Sequence, residues 1–294
     1  MSTSPTLWEI ESPLGAVSFR VSGQGRPLIL VHGWGGSSRY WLAAPAFLPN
    51  RRLIAIDLPG CGASPAPNEP VTLESYARVV LAVADALDID RFALAGHSLG
   101  AAVALAVADL ACERVERLGL ISFGFSANCY EESLVTIAGA QWQVAAAYWR
   151  PWLIWWRPWW GVTQSWRQAW WMMPPTPEIL AAPMVRCSLD HSLLAQGIAD
   201  LVAMDLLVAI EAAAIMGHPK LKRAAQSQLP PVLLLSGQYD PVFPPVNVRA
   251  LHRCIANAQL VILPDCGHVP MVEEPSGCYQ TIARFLDGEN DYSS

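Results

Sequence analysis

Phe92-Ala-Leu-Ala-Gly-His-Ser-Leu-Gly100 is an apolar run that ends in a serine with a glycine two places away on each side. That spacing describes a geometry. A strand that stops, turns sharply and starts a helix forces its apex residue into a strained backbone conformation, and Gly96 and Gly100 lack the side chains that would clash there. Ser98 at the apex would hold its hydroxyl above the end of a sheet, open to a base on one side and a reactant on the other. Because G-x-S-x-G also arises by chance, its meaning rests on whether the rest of the chain supplies partners.

Outward from this segment, short aliphatic runs alternate with longer amphipathic ones, the pattern of an α/β protein with a mostly parallel, twisted sheet flanked by helices. Runs 8–12 and 16–21 read as an opening hairpin, and 27–31, 53–56, 92–95, 118–122, 232–236 and 259–263 as buried strands. Helical spacing appears over 72–87, opened by Thr72 with Ser75 nearby, and over the alanine-rich 98–110. Two closing helices, 245–255 and 275–286, carry proline near the first turn. After Phe125 the strand pattern stops, and helix-like, aromatic-rich sequence continues to about Pro219. The expected organisation is a core of 1–125 and 220–294 with a helical cap, or lid, over 126–219.

Bulk properties narrow the function classes. The 294 residues are 53% hydrophobic and only 15% charged, which argues for a well-packed globule. A net charge of −6 without a basic run disfavours nucleic acid as a partner. Seven cysteines at 61, 112, 129, 187, 254, 266 and 278 form no C-x-x-C pair, the pattern of reduced, mostly buried thiols. With no basic region followed by an apolar core at the N-terminus, a cytoplasmic chain is expected. The apolar stretch 193–216 carries Asp200, Asp205 and Glu211, and 142–173 is interrupted by Arg150, Arg157, Arg167, Pro151 and Pro158, so neither reads as a membrane span.

A serine hydroxyl is a weak nucleophile until a base takes its proton. Of six histidines, His97 adjoins Ser98 and would point away, His252 lies in a surface helix, and His191 and His218 belong to the insertion. His268 sits in a turn-rich loop after the last strand, at the sheet edge that also carries Ser98. The imidazole needs a carboxylate to hold its tautomer. Asp240 follows the strand 232–236 through Gly237-Gln-Tyr, whereas the segment after 118–122 offers Ser122, Gly124 and Ser126 but no acid. For an oxyanion, the backbone N–H of Leu99 is one donor and that of Trp34, in His32-Gly-Trp-Gly-Gly-Ser, is the other. His32 would brace that loop, and Asp57 would stabilise the turn after its own strand.

His32-Gly-Trp-Gly, Asp57-Leu-Pro-Gly-Cys-Gly-Ala-Ser64, Gly96-His-Ser-Leu-Gly100, Gly237-Gln-Tyr-Asp-Pro and Gly267-His-Val-Pro together resemble the α/β-hydrolase superfamily. Within it, the chain is similar to the serine-esterase branch that includes pimeloyl-ester carboxylesterases. The resemblance covers about 1–125 and 225–290 and implies the α/β-hydrolase fold with Ser98, Asp240 and His268 as its catalytic residues, in that chain order. Serine at the elbow, not aspartate, disfavours the epoxide-hydrolase and haloalkane-dehalogenase branches. No metal or organic cofactor is implied, since there is no H-E-x-x-H, no cysteine–histidine metal spacing and no dinucleotide glycine fingerprint.

Ten of the thirteen tryptophans fall between 142 and 171, and the charged residues in that span are all arginine. Indoles there would fill the core of the cap, line a pocket for a bulky apolar ester, or contact lipid. Trp34, Trp142, Trp149 and Trp156 are the expected pocket residues. The function these readings support is hydrolysis of a carboxylic ester or thioester with a bulky hydrophobic group, with a hydrophobic small molecule as partner and peripheral membrane contact through the cap. Acyl transfer by the same residues, or binding on a hydrolase scaffold, are the alternatives.

Overall fold

A computed structural model of the chain describes residues 5–186, 189 and 191–289. Eight strands are present: Thr6–Ser12 (β1), Gly15–Ser22 (β2), Arg26–Val31 (β3), Arg51–Ile56 (β4), Phe92–His97 (β5), Val115–Ile121 (β6), Val232–Gly237 (β7) and Ala258–Leu263 (β8). They form one sheet in the order β1-β2-β4-β3-β5-β6-β7-β8. β2 runs antiparallel to both β1 and β4, and every other pair is parallel. Each expected strand is found, most of them extended by a residue or two; the one expected over 118–122 runs from Val115 to Ile121, three residues earlier at its start and one short at its end.

The helices are Ala44–Phe47 (α1), Leu73–Ala86 (α2), Leu99–Leu110 (α3), Cys129–Val162 (α4), Gln164–Trp171 (α5), Thr176–Ala181 (α6), His191–Ala203 (α7), Leu206–Ala213 (α8), Lys220–Ala225 (α9), Pro245–His252 (α10), Pro270–Glu273 (α11) and Pro275–Asp287 (α12). α2 begins where Thr72 Oγ1 accepts the N–H of Ser75, the cap its sequence announces. Both faces of the sheet are covered, so its central strands are apolar throughout. In β3, Ile29 and Val31 belong to the core on the side of α2, α3 and α10, while Leu28 and Leu30 belong to the core on the opposite side, with α1 and α12.

Strand order reverses between β3 and β5, the crevice where ligands settle in open α/β sheets. Val31 pairs with Gly96 at the carboxyl ends of these strands, which brings the His32–Trp34 loop beside Ser98.

Between β6 and β7 the described residues are helical, without strands. α4 runs for 34 residues straight through Pro151 and Pro158, which the sequence alone reads as interruptions. Each proline deprives one carbonyl of a partner, on Ala147 and Ile154, and both residues are exposed, so water can serve instead. The arginines differ from the interfacial role the sequence allowed. Arg157 donates to both carboxylate oxygens of Asp205 at 2.9 and 3.2 Å and to Pro67 O at 3.0 Å, and Arg150 pairs with Glu211 and donates to Asn68 O. Asp200, the third acid of 193–216, is buried and pairs with Arg39 and Ser37. α7 and α8 meet at 93°, and among the described residues no single helix is long and apolar enough to cross a membrane.

The cysteine expectation needs correction. Cys61, Cys266 and Cys278 are buried, Cys254 is half-buried, and Cys112 and Cys129 are exposed on helix ends and loops where no core covers them. Cys187 and the side chains of Trp160 and Arg167 lie outside the described residues.

Candidate active site

β5 ends at His97 and α3 starts at Leu99, so Ser98 alone makes the turn, with φ 52° and ψ −114°. A non-glycine residue in this region is strained by roughly 1–3 kcal/mol, which the surrounding structure must offset. The flanking glycines are required by contact. A Cβ on Gly96 would stand 2.0 Å from Gly100 O, and one on Gly100 would stand 2.3 Å from Val31 O. The helix therefore presses against the strands as closely as backbone allows, and Ser98 is held at its amino end.

Asp240 and His268 meet as the sequence anticipates. His268 Nδ1 lies 2.9 Å from both carboxylate oxygens of Asp240, and Asp240 Oδ1 also accepts the N–H groups of Val242 and Phe243 at 2.8 and 2.9 Å. With Nδ1–H committed to the buried carboxylate, Nε2 is the nitrogen left to act as a base. Ser98 and His268 border the same cavity. Among the described residues no hydrogen bond joins them; in unliganded catalytic sites such contacts are often long and tighten around the reacting molecule.

The loop that carries His268 is held by groups that sequence reasoning missed. Glu273 accepts the N–H groups of Gly267 and Val269 at 2.9 and 3.0 Å, one on each side of His268, and that of Arg186 at 2.6 Å. His268 N–H itself donates to Met184 O at 2.8 Å. An acid five residues after a candidate base was the available signal. The segment at 184–186 carried none.

His97 corrects a second expectation. Its ring does not point away but lies 4.9 Å from the His268 ring, with Nε2 2.7 Å from His268 O. Burial, then the neighbouring His268, lowers its pKa to about 3, so the ring is neutral and Nε2–H donates to that carbonyl. A Cβ on Gly33 would stand 2.7 Å from His97 Nδ1, which explains why the loop after β3 needs glycine there.

His32 and Asp57 hold the neighbouring loops. His32 Nδ1 lies 2.7 Å from Gly33 O, and its Nε2 accepts Leu58 N–H at 3.0 Å. Asp57 accepts Ser38 N–H at 2.5 Å and Ala63 N–H at 3.0 Å. Leu99 opens α3, so its N–H has no acceptor within the helix and is available to an anion. Trp34 lines the cavity beside Ser98, and its indole N–H donates to Ala209 O at 2.9 Å, tying the loop to α8.

The cavity measures about 570 Å³ and is walled by aliphatic residues of α7, Leu193, Leu194, Ile198 and Leu201, with Met184, Met216, Val242 and Phe243. Trp142, Trp149 and Trp156, expected in this pocket, are not among its walls. They sit on α4, whose inward side is taken by Arg150 and Arg157, and each is about half exposed. The signal for the true wall is the apolar stripe 193, 194, 197, 198, 201 at helical spacing.

A strained serine at a strand-to-helix turn, on a mostly parallel sheet and below an acid-held histidine, marks the α/β-hydrolase class. The chain belongs to the Alpha/beta hydrolase family, whose sequence model matches residues 28–281. It is a hydrolase of that family. The pimeloyl-[acyl-carrier protein] methyl ester esterase of Nitrosomonas europaea is 26% identical over 279 residues, 89% of this chain and 96% of that one. The dihydrolipoyllysine-residue acetyltransferase component of the acetoin cleaving system of Pseudomonas putida is 48% identical over 106 residues, but these are only 35% of this chain and 29% of that relative. The crystal structure of a hydrolase from Pseudomonas aeruginosa PA01 superposes with a TM-score of 0.73 at 25% identity, covering 96% of this chain and 98% of that one.

Proposed function

We propose that this hydrolase cleaves a carboxylic ester or thioester bearing a bulky hydrophobic group, through an acyl-enzyme on Ser98. The observation that carries the reading is that Ser98, on its strained turn, and His268, bonded to Asp240, open into one apolar cavity of about 570 Å³. That volume lies in the range of small-molecule sites.

Ser98 Oγ attacks the carbonyl carbon while His268 Nε2 takes its proton. The tetrahedral oxyanion lies against the N–H groups of Leu99 and Trp34, where each donor is worth roughly 3–4 kcal/mol to the barrier. Collapse expels the alcohol or thiol, which receives the proton from His268. Water, deprotonated by the same ring, then releases the acid and restores Ser98. Asp240 keeps Nδ1 protonated and stabilises the imidazolium. The helical segment 126–219 serves as a lid whose α7 wall selects apolar groups. The resemblance to the methyl ester esterase supports ester chemistry but does not name the acid, because much of the wall, α7 above all, comes from the insertion.

A fluorophosphonate probe should label the wild type and leave Ser98→Ala unlabelled; an unlabelled wild type overturns the reading in favour of a binding protein. Across p-nitrophenyl esters, kcat/KM should rise from acetate to medium-chain acyl groups, and a preference for acetate counts against the apolar wall. A second reading, acyl transfer to an alcohol, is favoured by the same apolar lining, which keeps water sparse. Product analysis with and without added alcohol separates the two.

A further inference from the structure

An ordinary surface helix turns apolar residues inward and charges outward. α4 does the reverse. Its inward seam is Ala146, Arg150, Leu153 and Arg157, with both arginines spent on internal ion pairs to Glu211 and Asp205. Two positions further round the helix lie Val144, Tyr148, Trp152, Trp155, Trp159 and Val162, each 60–75% exposed. At about 100° per residue, that stripe faces away from the protein. An exposed apolar face of this length requires a partner.

Chemistry selects the partner. From Ser133 to Pro177 the sequence holds no aspartate or glutamate, although the protein as a whole carries a net charge of −6. Among the described residues, the indole N–H groups of Trp152, Trp155 and Trp159 donate to no protein acceptor. The face is therefore apolar, aromatic and rich in hydrogen-bond donors, with no anionic group. Bilayer headgroups are its complement: phosphate and ester-carbonyl oxygens accept hydrogen bonds above an apolar layer, and tryptophan and tyrosine settle at that level. A second copy fits less well, because a helix–helix seam takes aliphatic knobs into holes, and adjacent indoles do not interdigitate that way.

We propose that the exposed face of α4 docks the protein on a phospholipid bilayer, with the helix lying in the plane of the headgroups. The inference does not depend on the reaction assigned to Ser98. It also places the bilayer one helix layer from the cavity, since α4 packs on α8 and α5 on α7, and α7 and α8 contribute cavity walls.

The test is flotation of the full chain with phosphatidylcholine–phosphatidylglycerol vesicles, alongside W152Q/W155Q/W159Q. The wild type should float with the vesicles, and the triple variant should bind at least about tenfold more weakly. Wild type that stays at the bottom of the gradient, or a folded variant that floats equally, overturns the proposal. To keep the test independent of whether the variant folds, a second measurement uses wild type alone: brominated lipid should quench its indole emission, and absence of quenching overturns docking. A lipid-free dimer, seen by sedimentation and split by the triple substitution, would assign the face to a second copy instead.

Discussion

His97 Nε2 lies 2.7 Å from the carbonyl oxygen of His268, and the two imidazole rings stand 4.9 Å apart. The candidate base is thus supported from below by a second histidine that burial keeps neutral. Protonation of His97 would place an unpartnered charge in a buried site beside a ring that must itself become charged during turnover.

Stability should therefore depend on pH through His97. The unfolded ring binds a proton below about 6.5, and the folded one resists until about 3. Between those values the unfolded state holds more protons, so stability is complete above the upper value and is lost as pH falls through the window, by at most about 1.4 kcal/mol per unit. His32, also lowered by burial, acts in the same direction. Urea unfolding at pH 7.5 and 5.0 should show a shallower loss for His97→Gln, which keeps a donor for His268 O. An unchanged slope would assign the pH dependence to other groups.

Ser98→Gly should stabilise the fold while abolishing the reaction. Glycine relieves the positive φ of 52°, for a gain of about 1 kcal/mol. Ser98→Ala keeps a Cβ and so should abolish the reaction without that gain. Thermal melts of wild type and both variants, read beside probe labelling, check both halves. A Ser98→Gly variant that melts below Ser98→Ala would show that the turn is not strained.

Glu273→Gln should lower kcat by roughly tenfold to a hundredfold with little change in KM, because small displacements of a reacting group are costly. Glu273 accepts on both sides of His268 and does not line the cavity. A glutamine amide has one acceptor oxygen where the carboxylate has two. Steady-state kinetics on a soluble ester should show this split; a rise in KM alone would mean that Glu273 shapes binding instead.

Removing Arg157 should destabilise more than removing the pair. Arg157→Leu leaves Asp205 mostly buried without its cation, at a cost of about 2 kcal/mol once its partial exposure is allowed for. Adding Asp205→Asn should recover part of that loss, since asparagine still caps α8 at Val208 N–H. Denaturant midpoints for the single and double variants measure the difference. A double variant less stable than the single one would locate Asp205's value in contacts other than Arg157.

Much of the site could be read before any coordinates. The two glycines around Ser98, the acid after the strand at 232–236 and the histidine after the last strand are marked by local pattern, because strand ends, tight turns and closest approaches restrict residue type. The direction of the His97 ring escapes such a reading, because adjacency in the chain says nothing about which way a ring turns at a strained corner. Glu273 is marked only by its place five residues after the candidate base, because its contacts to the N–H groups of Arg186, Gly267 and Val269 are to backbone and demand no particular residue type there.

By itself the sequence determined the strand–helix alternation through its hydrophobic periodicity, the elbow at Ser98 through the backbone sterics of a tight turn, and the order Ser98, Asp240, His268 through which strand ends carry a serine, an acid and a histidine. Only the tertiary structure decided how the tryptophan-rich helix is turned. Its periodicity defines two faces, an arginine seam and an aromatic one, and hydrophobicity alone would bury the second. The seam faces inward because Arg150 and Arg157 find Glu211 and Asp205, 61 and 48 residues further along the chain. Which face a helix buries depends on such distant partners, and that choice leaves the wall of the cavity to the aliphatic side chains of α7 and the indoles to the surface.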